Sequence, residues 1–302
     1  VFGAGVGLFL GELWVRVSGH DPIDDPLVAH RANSWTHECV DLDPELGYVL
    51  RPGACGANSL GILDDERPFR GAPEELRVAA FGDSVTADRM YTDFLEVILA
   101  KRLGRPVAVF NLGVTGWSTR EEAAYAERRL DEIAPHALIL QFTANDYLGT
   151  PVYARVAGEV RVLDGAARHG PVATWMLRHS AAWRVVSLRS GARRGVRESA
   201  PSLHAALARF ATVARRGDVP AWALLVPELW DPGATPEPVA WAEGDFAQAA
   251  GAAGLDVVDL TRGFEAAGMA SLRRNQASAA LTALAQLPLD PSLREFVADA
   301  SP

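Results

Sequence analysis

From Leu76 onward the chain alternates between two kinds of apolar spacing. Short, nearly uninterrupted apolar runs stand at Val78–Phe81, Val107–Phe110, Ala137–Phe142, Ala221–Val226 and Asp256–Leu260. Runs of this kind suit strands that are covered on both faces. Between them, apolar residues recur at helical intervals. Tyr91–Leu103 places Phe94, Leu95, Ile98 and Leu99 on one stripe. Glu121–Ile133 opens with two acidic residues behind Ser118–Thr119, the composition of a helix N-terminus. Leu203–Arg215 and Trp241–Ala253 also read as helices. This alternation through short links predicts an α/β fold: a doubly wound, five-stranded parallel sheet with helices on both faces and right-handed crossovers.

Outside that rhythm the pattern changes. Residues 20–76 are rich in Pro, Gly, Asp and Asn and form an irregular lead segment lying over the main domain, which runs from 77 to 302. An insertion at about 147–201 falls between the third and fourth strands, with a hairpin expected at Tyr153–Leu163 turning at Gly158. Ala173–Leu188 reads as one amphipathic helix, with Trp175 and Trp183 as packing residues. Residues 1–19 begin apolar and glycine-rich, then meet Glu12 and Arg16. Spanning a bilayer takes about 20 apolar residues. The stretch therefore reads as the end of a signal anchor, which predicts an extracytoplasmic domain (periplasmic or cell surface) tethered to a membrane.

Composition narrows the partners. The net charge of −9 argues against nucleic acid, because phosphate binding needs a basic footprint. The local cluster Arg189, Arg193, Arg194 and Arg197 lies among Ser and Gly and reads as a solvated loop. Cys39 and Cys55 are the two cysteines, and the sequence leaves open whether they pair. His37 and Cys39 stand close together without a second ligand pair, so no metal site is expected.

Polar clusters follow each of the first three strands, at the carboxyl edge where open parallel sheets bind ligands. They are Gly82-Asp83-Ser84-Val85-Thr86, Asn111-Leu112-Gly113-Val114-Thr115-Gly116 and Thr143-Ala144-Asn145-Asp146. Each alone is ordinary turn composition. In register at one edge, they resemble the GDS block, the N-x-G-x-x-G block and the G-x-N-D block of the SGNH/GDSL hydrolase family. Gly47–Pro52 and Asn58–Gly61 also look like the run-in of its membrane-anchored bacterial members. The resemblance implies a flavodoxin-like α/β fold and serine ester hydrolysis without a cofactor, on a small ester or acylated carbohydrate substrate. It makes Ser84 the nucleophile and assigns the oxyanion donors to the N–H groups of Ser84 and Gly113 and the amide of Asn145. Asp83 and Asp146 read as turn-bracing residues, and Ser84 itself also suits a plain helix cap.

The pattern departs from the family at several points. Thr143 replaces the glycine of the third block, and Asp88 stands where a glycine commonly follows the first. The closing D-x-x-H block, which supplies the general base and its orienting carboxylate, aligns with Arg273-Arg274-Asn275-Gln276, so Arg273 and Gln276 occupy the degenerate base positions. A second alignment against Leu287–Ala298 puts Pro288 at the histidine position. No histidine follows His204. His136 and His204 read as surface or helix-end residues, His169 and His179 lie in the insertion, and His20, His30 and His37 belong to the lead segment. A pseudoenzyme that binds an acylated ligand or partner without turnover stands beside the hydrolase as the alternative.

Overall fold

Every apolar run becomes a strand of one parallel sheet. The computed structural model describes residues 2–19, 38–156, 158–164, 171–190, 196–228, 235–261 and 263. In chain order the elements are α1 (Phe2–Val17), β1 (Val40–Asp43), β2 (Gly47–Leu50), β3 (Leu76–Gly82), α2 (Ser84–Ala87), α3 (Met90–Leu103), β4 (Val107–Gly113) and α4 (Thr119–Ile133). Then come β5 (Ala137–Phe142), a 3-10 turn (Ala144–Leu148), β6 (Val152–Val156), β7 (Glu159–Asp164), α5 (Pro171–His179), α6 (Ala181–Ser190), α7 (Val196–Gly217), β8 (Ala221–Leu225), α8 (Glu237–Ala253) and β9 (Asp256–Asp259).

The five-stranded sheet has the order β4-β3-β5-β8-β9, and every neighbouring pair is parallel. The chain steps outward from β3 to β4, then returns past β3 to β5. That reversal opens a crevice between the carboxyl ends of β3 and β5, the place where such sheets bind ligands.

Strand alternation divides the core in two. Ala79 and Phe81 of β3, Phe110 of β4 and Leu138, Leu140 and Phe142 of β5 join one cluster with α4, α7 and α8. Val78, Ala80, Val109 and Ala137 join the other, under Tyr91, Leu95 and Leu99 of α3. Helices therefore cover both faces. The stripe on α3 runs through Tyr91, Leu95 and Leu99, whereas Phe94 is 38% exposed. The i, i+4 row meets the sheet, and the row beginning at Phe94 is turned off it.

The lead segment packs into the first core. Its hairpin β1–β2 buries Val40, Tyr48 and Leu50, and Cys39 is bonded to Cys55, with 5.4 Å between the Cα atoms. Cys39 thus has no free thiolate to offer a metal. His37 lies outside the described residues.

Strand β4 is an edge strand, and side chains of other segments close its outer rim. Glu96 accepts the Val109 N–H at 2.8 Å, Asp64 accepts the Asn111 N–H at 3.2 Å, and Arg67 donates to the Val109 carbonyl at 3.1 Å. Arg67 also bridges Asp64 and Glu96 at 2.8 and 2.7 Å.

In the insertion, β6 and β7 pair as an antiparallel hairpin, and Gly158 adopts φ +92° at its tip. The single helix expected over Ala173–Leu188 is instead two helices broken at Ser180. The Ser180 hydroxyl accepts the Trp183 N–H at 3.1 Å, while Glu12 of α1 accepts the Ala181 and Ala182 N–H groups at 2.9 and 3.0 Å. A serine cap and a carboxylate at the new N-terminus satisfy donors that an unbroken helix would bond internally. Trp175 is 61% exposed and stacks on His179, so it is not a core residue. No helix among the described residues is long and apolar enough to cross a membrane.

Of the arginine cluster, Arg193 and Arg194 lie outside the described residues. Arg197 pairs with Glu237 and sits over the Trp241 ring.

Candidate active site

The three polar clusters emerge side by side. Gly82 and Gly113 are register partners at the ends of β3 and β4, and the Val114 N–H donates to the Gly82 carbonyl at 3.0 Å. Strand β5 pairs with β3 on the other side. The loops bearing Ser84, Gly113 and Asn145 therefore leave one edge of the sheet.

Ser84 begins a single helical turn, and its cap is Asp83 rather than Ser84: Asp83 Oδ1 accepts the Val85 N–H at 3.0 Å. One turn carries little helix dipole, so any anion here relies on local N–H groups. No acceptor among the described residues meets the Ser84 N–H, and no described side chain hydrogen-bonds Ser84 Oγ. Gly82 cannot carry a side chain, because a Cβ would lie 2.1 Å from Thr86 Oγ1 and 2.4 Å from Gln141 Oε1. Gln141, the one polar residue of its strand, accepts from Thr86 Oγ1 at 2.9 Å and from the Asp83 N–H at 3.3 Å. Asp88 is exposed.

The Gly113 N–H is spent internally, donated to Asn111 Oδ1 at 3.0 Å. The glycine is required there for a different reason than approach to a ligand. A Cβ would stand 2.4 Å from the Ala87 backbone nitrogen, so its absence lets the Ser84 turn sit against β4. Asn111, 1% exposed, ties the two together by donating to the Thr86 carbonyl at 2.6 Å and to Thr92 Oγ1 at 3.2 Å. The next glycine of the block, Gly116, has φ +86°, and no acceptor among the described residues meets its N–H. Its loop is braced by the lead hairpin: Tyr48 Oη donates to the Thr115 carbonyl at 2.8 Å, and Trp117 Nε1 donates to the Tyr48 carbonyl at 3.2 Å.

On the third loop, the Thr143 hydroxyl lies between Asp83 Oδ2, at 3.1 Å, and Asn145 Oδ1. With Oδ1 accepting, the exposed Asn145 amide turns its NH2 toward the Asp83 carboxyl and keeps one of its two N–H groups to give. The threonine that replaces glycine in this block thus links the first and third loops. Asp146 is 1% exposed and accepts from Thr119 Oγ1 at 2.7 Å. Burial, foremost, pushes the carboxyl groups of Asp83 and Asp146 above the ordinary range.

The described histidines lie apart from Ser84 Oγ in their bonding. His136 accepts the Arg77 N–H at 3.0 Å near the amino end of the sheet, and His179 meets the Trp175 carbonyl at 2.7 Å. His204 bonds Asp245 at 2.8 Å, and Tyr147 donates to the same carboxylate oxygen at 2.6 Å. Arg273, Gln276 and Pro288, like His20, His30 and His169, fall outside the described residues.

The sequence reading gave no separate role to Asn111, Gly116 or Gln141. All three carried a signal: Asn111 and Gly116 open and close the N-x-G-x-x-G block, and Gln141 interrupts an apolar strand.

A model of the GDSL-like lipase/acylhydrolase family matches residues 80–274. No curated protein matches the chain. Among solved structures, similarity is found to AlinE4, an SGNH-hydrolase family esterase, at 16% identity, covering 62% of this chain and 77% of that one, TM-score 0.38. TesA is 15% identical over 69% of this chain and 97% of its own, TM-score 0.42. The psychrotrophic esterase EstA from Pseudoalteromonas sp. is 10% identical over 74% and 93%, TM-score 0.39.

Proposed function

The chain belongs to the GDSL-like lipase/acylhydrolase family, and from that premise we propose that it is a serine ester hydrolase in which Ser84 Oγ attacks an acyl carbonyl. The observation that carries this reading is a set of donors on the loops at the Ser84 edge of the sheet: the Ser84 and Gly116 N–H groups, which meet no acceptor among the described residues, and the amide N–H of Asn145 that Asp83 does not take. A tetrahedral oxyanion needs such donors fixed in advance, and one of them is typically worth about 3 kcal/mol of transition-state stabilisation. Gly116 takes the place first given to Gly113, whose N–H already has an acceptor.

The reaction class is acyl transfer to water. Ser84 Oγ bonds to the carbonyl carbon as its proton passes to a base, the alcohol departs, and water then releases the acid. The substrate class is a small ester, or an acylated carbohydrate or lipid of the cell envelope. A membrane tether at the N-terminus belongs to the same proposal. Leu10, Leu13, Trp14 and Val17 form a stripe at helical spacing on α1 and are 47–78% exposed.

A second reading has one specific observation in its favour. No described imidazole bonds Ser84 Oγ, and a chain without that base binds an acylated ligand with little turnover. Two measurements separate the readings. Labelling by a fluorophosphonate probe that Ser84→Ala abolishes, together with turnover of a short nitrophenyl ester, supports the hydrolase. Failure of both in a protein with an intact unfolding transition refutes it and favours the binding role.

A further inference from the structure

The first turn of α4 carries two adjacent glutamates with opposite surroundings. Glu121 closes a capping box with Ser118, receives the Thr150 hydroxyl, and is paired with Arg120. Glu122 is fully buried, and neither of its carboxyl oxygens has a hydrogen-bond partner among the described residues. Asp146 Oδ1 and Gln141 Nε2 are buried and likewise meet no partner among them.

A hydrogen bond sets Asp146 beside the helix turn that carries Glu122. Thr119 lies three residues before Glu122, hence on the same helix face, and its hydroxyl holds Asp146 Oδ2 at 2.7 Å. That bond sets the 3-10 turn over the face of α4 from which Glu122 projects. The charged and titratable groups acting on Glu122 are Glu121 from its own helix, Asp83 from the turn after β3, Asp146 from the turn after β5 and Tyr91 from α3. No cation is among them. An ionised Glu122 would be a charge taken out of water with no counter-charge, among the least tolerable features of a protein interior. A protonated Glu122 has one O–H to give, and Asp146 Oδ1 lacks a donor.

We propose that Glu122 and Asp146 share one proton at neutral pH, carried on Glu122 and donated to Asp146 Oδ1, and that this bond fixes the turn presenting Asn145 against α4. Glu122 is then a positioning residue for the oxyanion amide. Its catalytic consequence rests on the hydrolase reading, but the shared proton does not. Burial, reinforced by the neighbouring carboxylates, raises both groups. The folded state therefore holds a proton that the unfolded chain releases at ordinary carboxyl pH. The stability this adds is complete below that value and is lost as pH rises through the folded one.

The test uses the full chain with Glu122→Gln and Asp146→Asn, the second variant guarding against a folding failure of the first. Infrared spectra at pH 7 should show the carbonyl band of a buried protonated carboxyl in the wild type; Glu122→Gln should remove it, and Asp146→Asn, which changes the acceptor of its hydrogen bond, should shift it. The wild-type unfolding midpoint should fall as pH rises from 6 to 9. Glu122→Gln, whose amide still donates to Asp146 and cannot ionise, should fall less steeply over the same range. An unchanged band in the variants, or parallel midpoint curves, overturns the proposal. Loss of the band in Glu122→Gln with a flattened curve, in proteins that hydrolyse no ester, upholds the shared proton and removes the hydrolase reading alone.

Discussion

Asn111 is the residue on which the Ser84 turn and the second loop both hang, and its removal is a quantitative test of the site's construction. Its side chain makes three hydrogen bonds, to the Thr86 carbonyl, Thr92 Oγ1 and the Gly113 N–H. Asn111→Ala does not orphan all three partners. The Thr86 carbonyl keeps the Arg89 N–H at 2.9 Å, and Thr92 Oγ1 keeps its bond to the Arg89 carbonyl at 2.8 Å. The Gly113 N–H is left without an acceptor. An unsatisfied buried donor costs about 1–3 kcal/mol, and the bonds lost elsewhere add roughly 1 kcal/mol. The sum is a destabilisation of about 3 kcal/mol, measurable as a lower urea midpoint at unchanged slope, followed by tryptophan fluorescence. Asn111→Asp sharpens the test. It keeps the acceptor for Gly113 but sets a carboxylate oxygen against the Thr86 carbonyl, so stability should recover as pH falls and the carboxyl regains a proton. A loss below about 1 kcal/mol for the alanine variant, or no acid recovery for the aspartate variant, refutes this account of how β4 holds the turn.

Gly116→Ala places a Cβ 2.9 Å from Tyr48 Oη at φ +86°. It should cost about 1–2 kcal/mol in a thermal melt, and kcat/KM for a nitrophenyl ester should fall about 100-fold if its N–H serves the oxyanion. Reducing the Cys39–Cys55 bond, which spans 16 residues of chain, should cost about 3 kcal/mol, seen as a lower unfolding midpoint in dithiothreitol that a Cys39→Ser, Cys55→Ser protein does not show. Asp43 is held down at about 2, chiefly by its hydrogen bond from Arg128 on α4. The stability it adds is complete above its ordinary value near 3.8 and fades as pH falls toward 2, so Asp43→Asn should flatten that limb of an acid titration followed by circular dichroism.

The strands were legible in the sequence because burial on both faces leaves an unbroken apolar run that no helix of that length imitates. Ser84 and Asn145 were legible because each follows such a run directly, and a residue just past a parallel strand has nowhere to be but the sheet edge. What pairing statistics of residue types do not carry is which backbone donors are already taken. Gly113 and Gly116 look alike in the chain, and only the position of the Asn111 side chain distinguishes them. Glu121 and Glu122 likewise read together as acids at a helix start. One does cap its helix, and the other is turned 100° further round, into the interior. The break at Ser180 was invisible for a related reason, since it depends on Glu12, 168 residues away.

The closed outer rim of β4 bears on how this protein behaves in a crowded solution. A bare strand margin invites a neighbouring molecule to add its own strand, the first step toward fibrils. Here Glu96, Asp64 and Arg67 already occupy that margin with a charged mimic of a missing strand. Growth of the sheet by strand addition is barred on this side for as long as these contacts hold. Arg67→Ala removes one of them and takes the shared cation from Asp64 and Glu96, so turbidity on heating should set in earlier than in the parent protein.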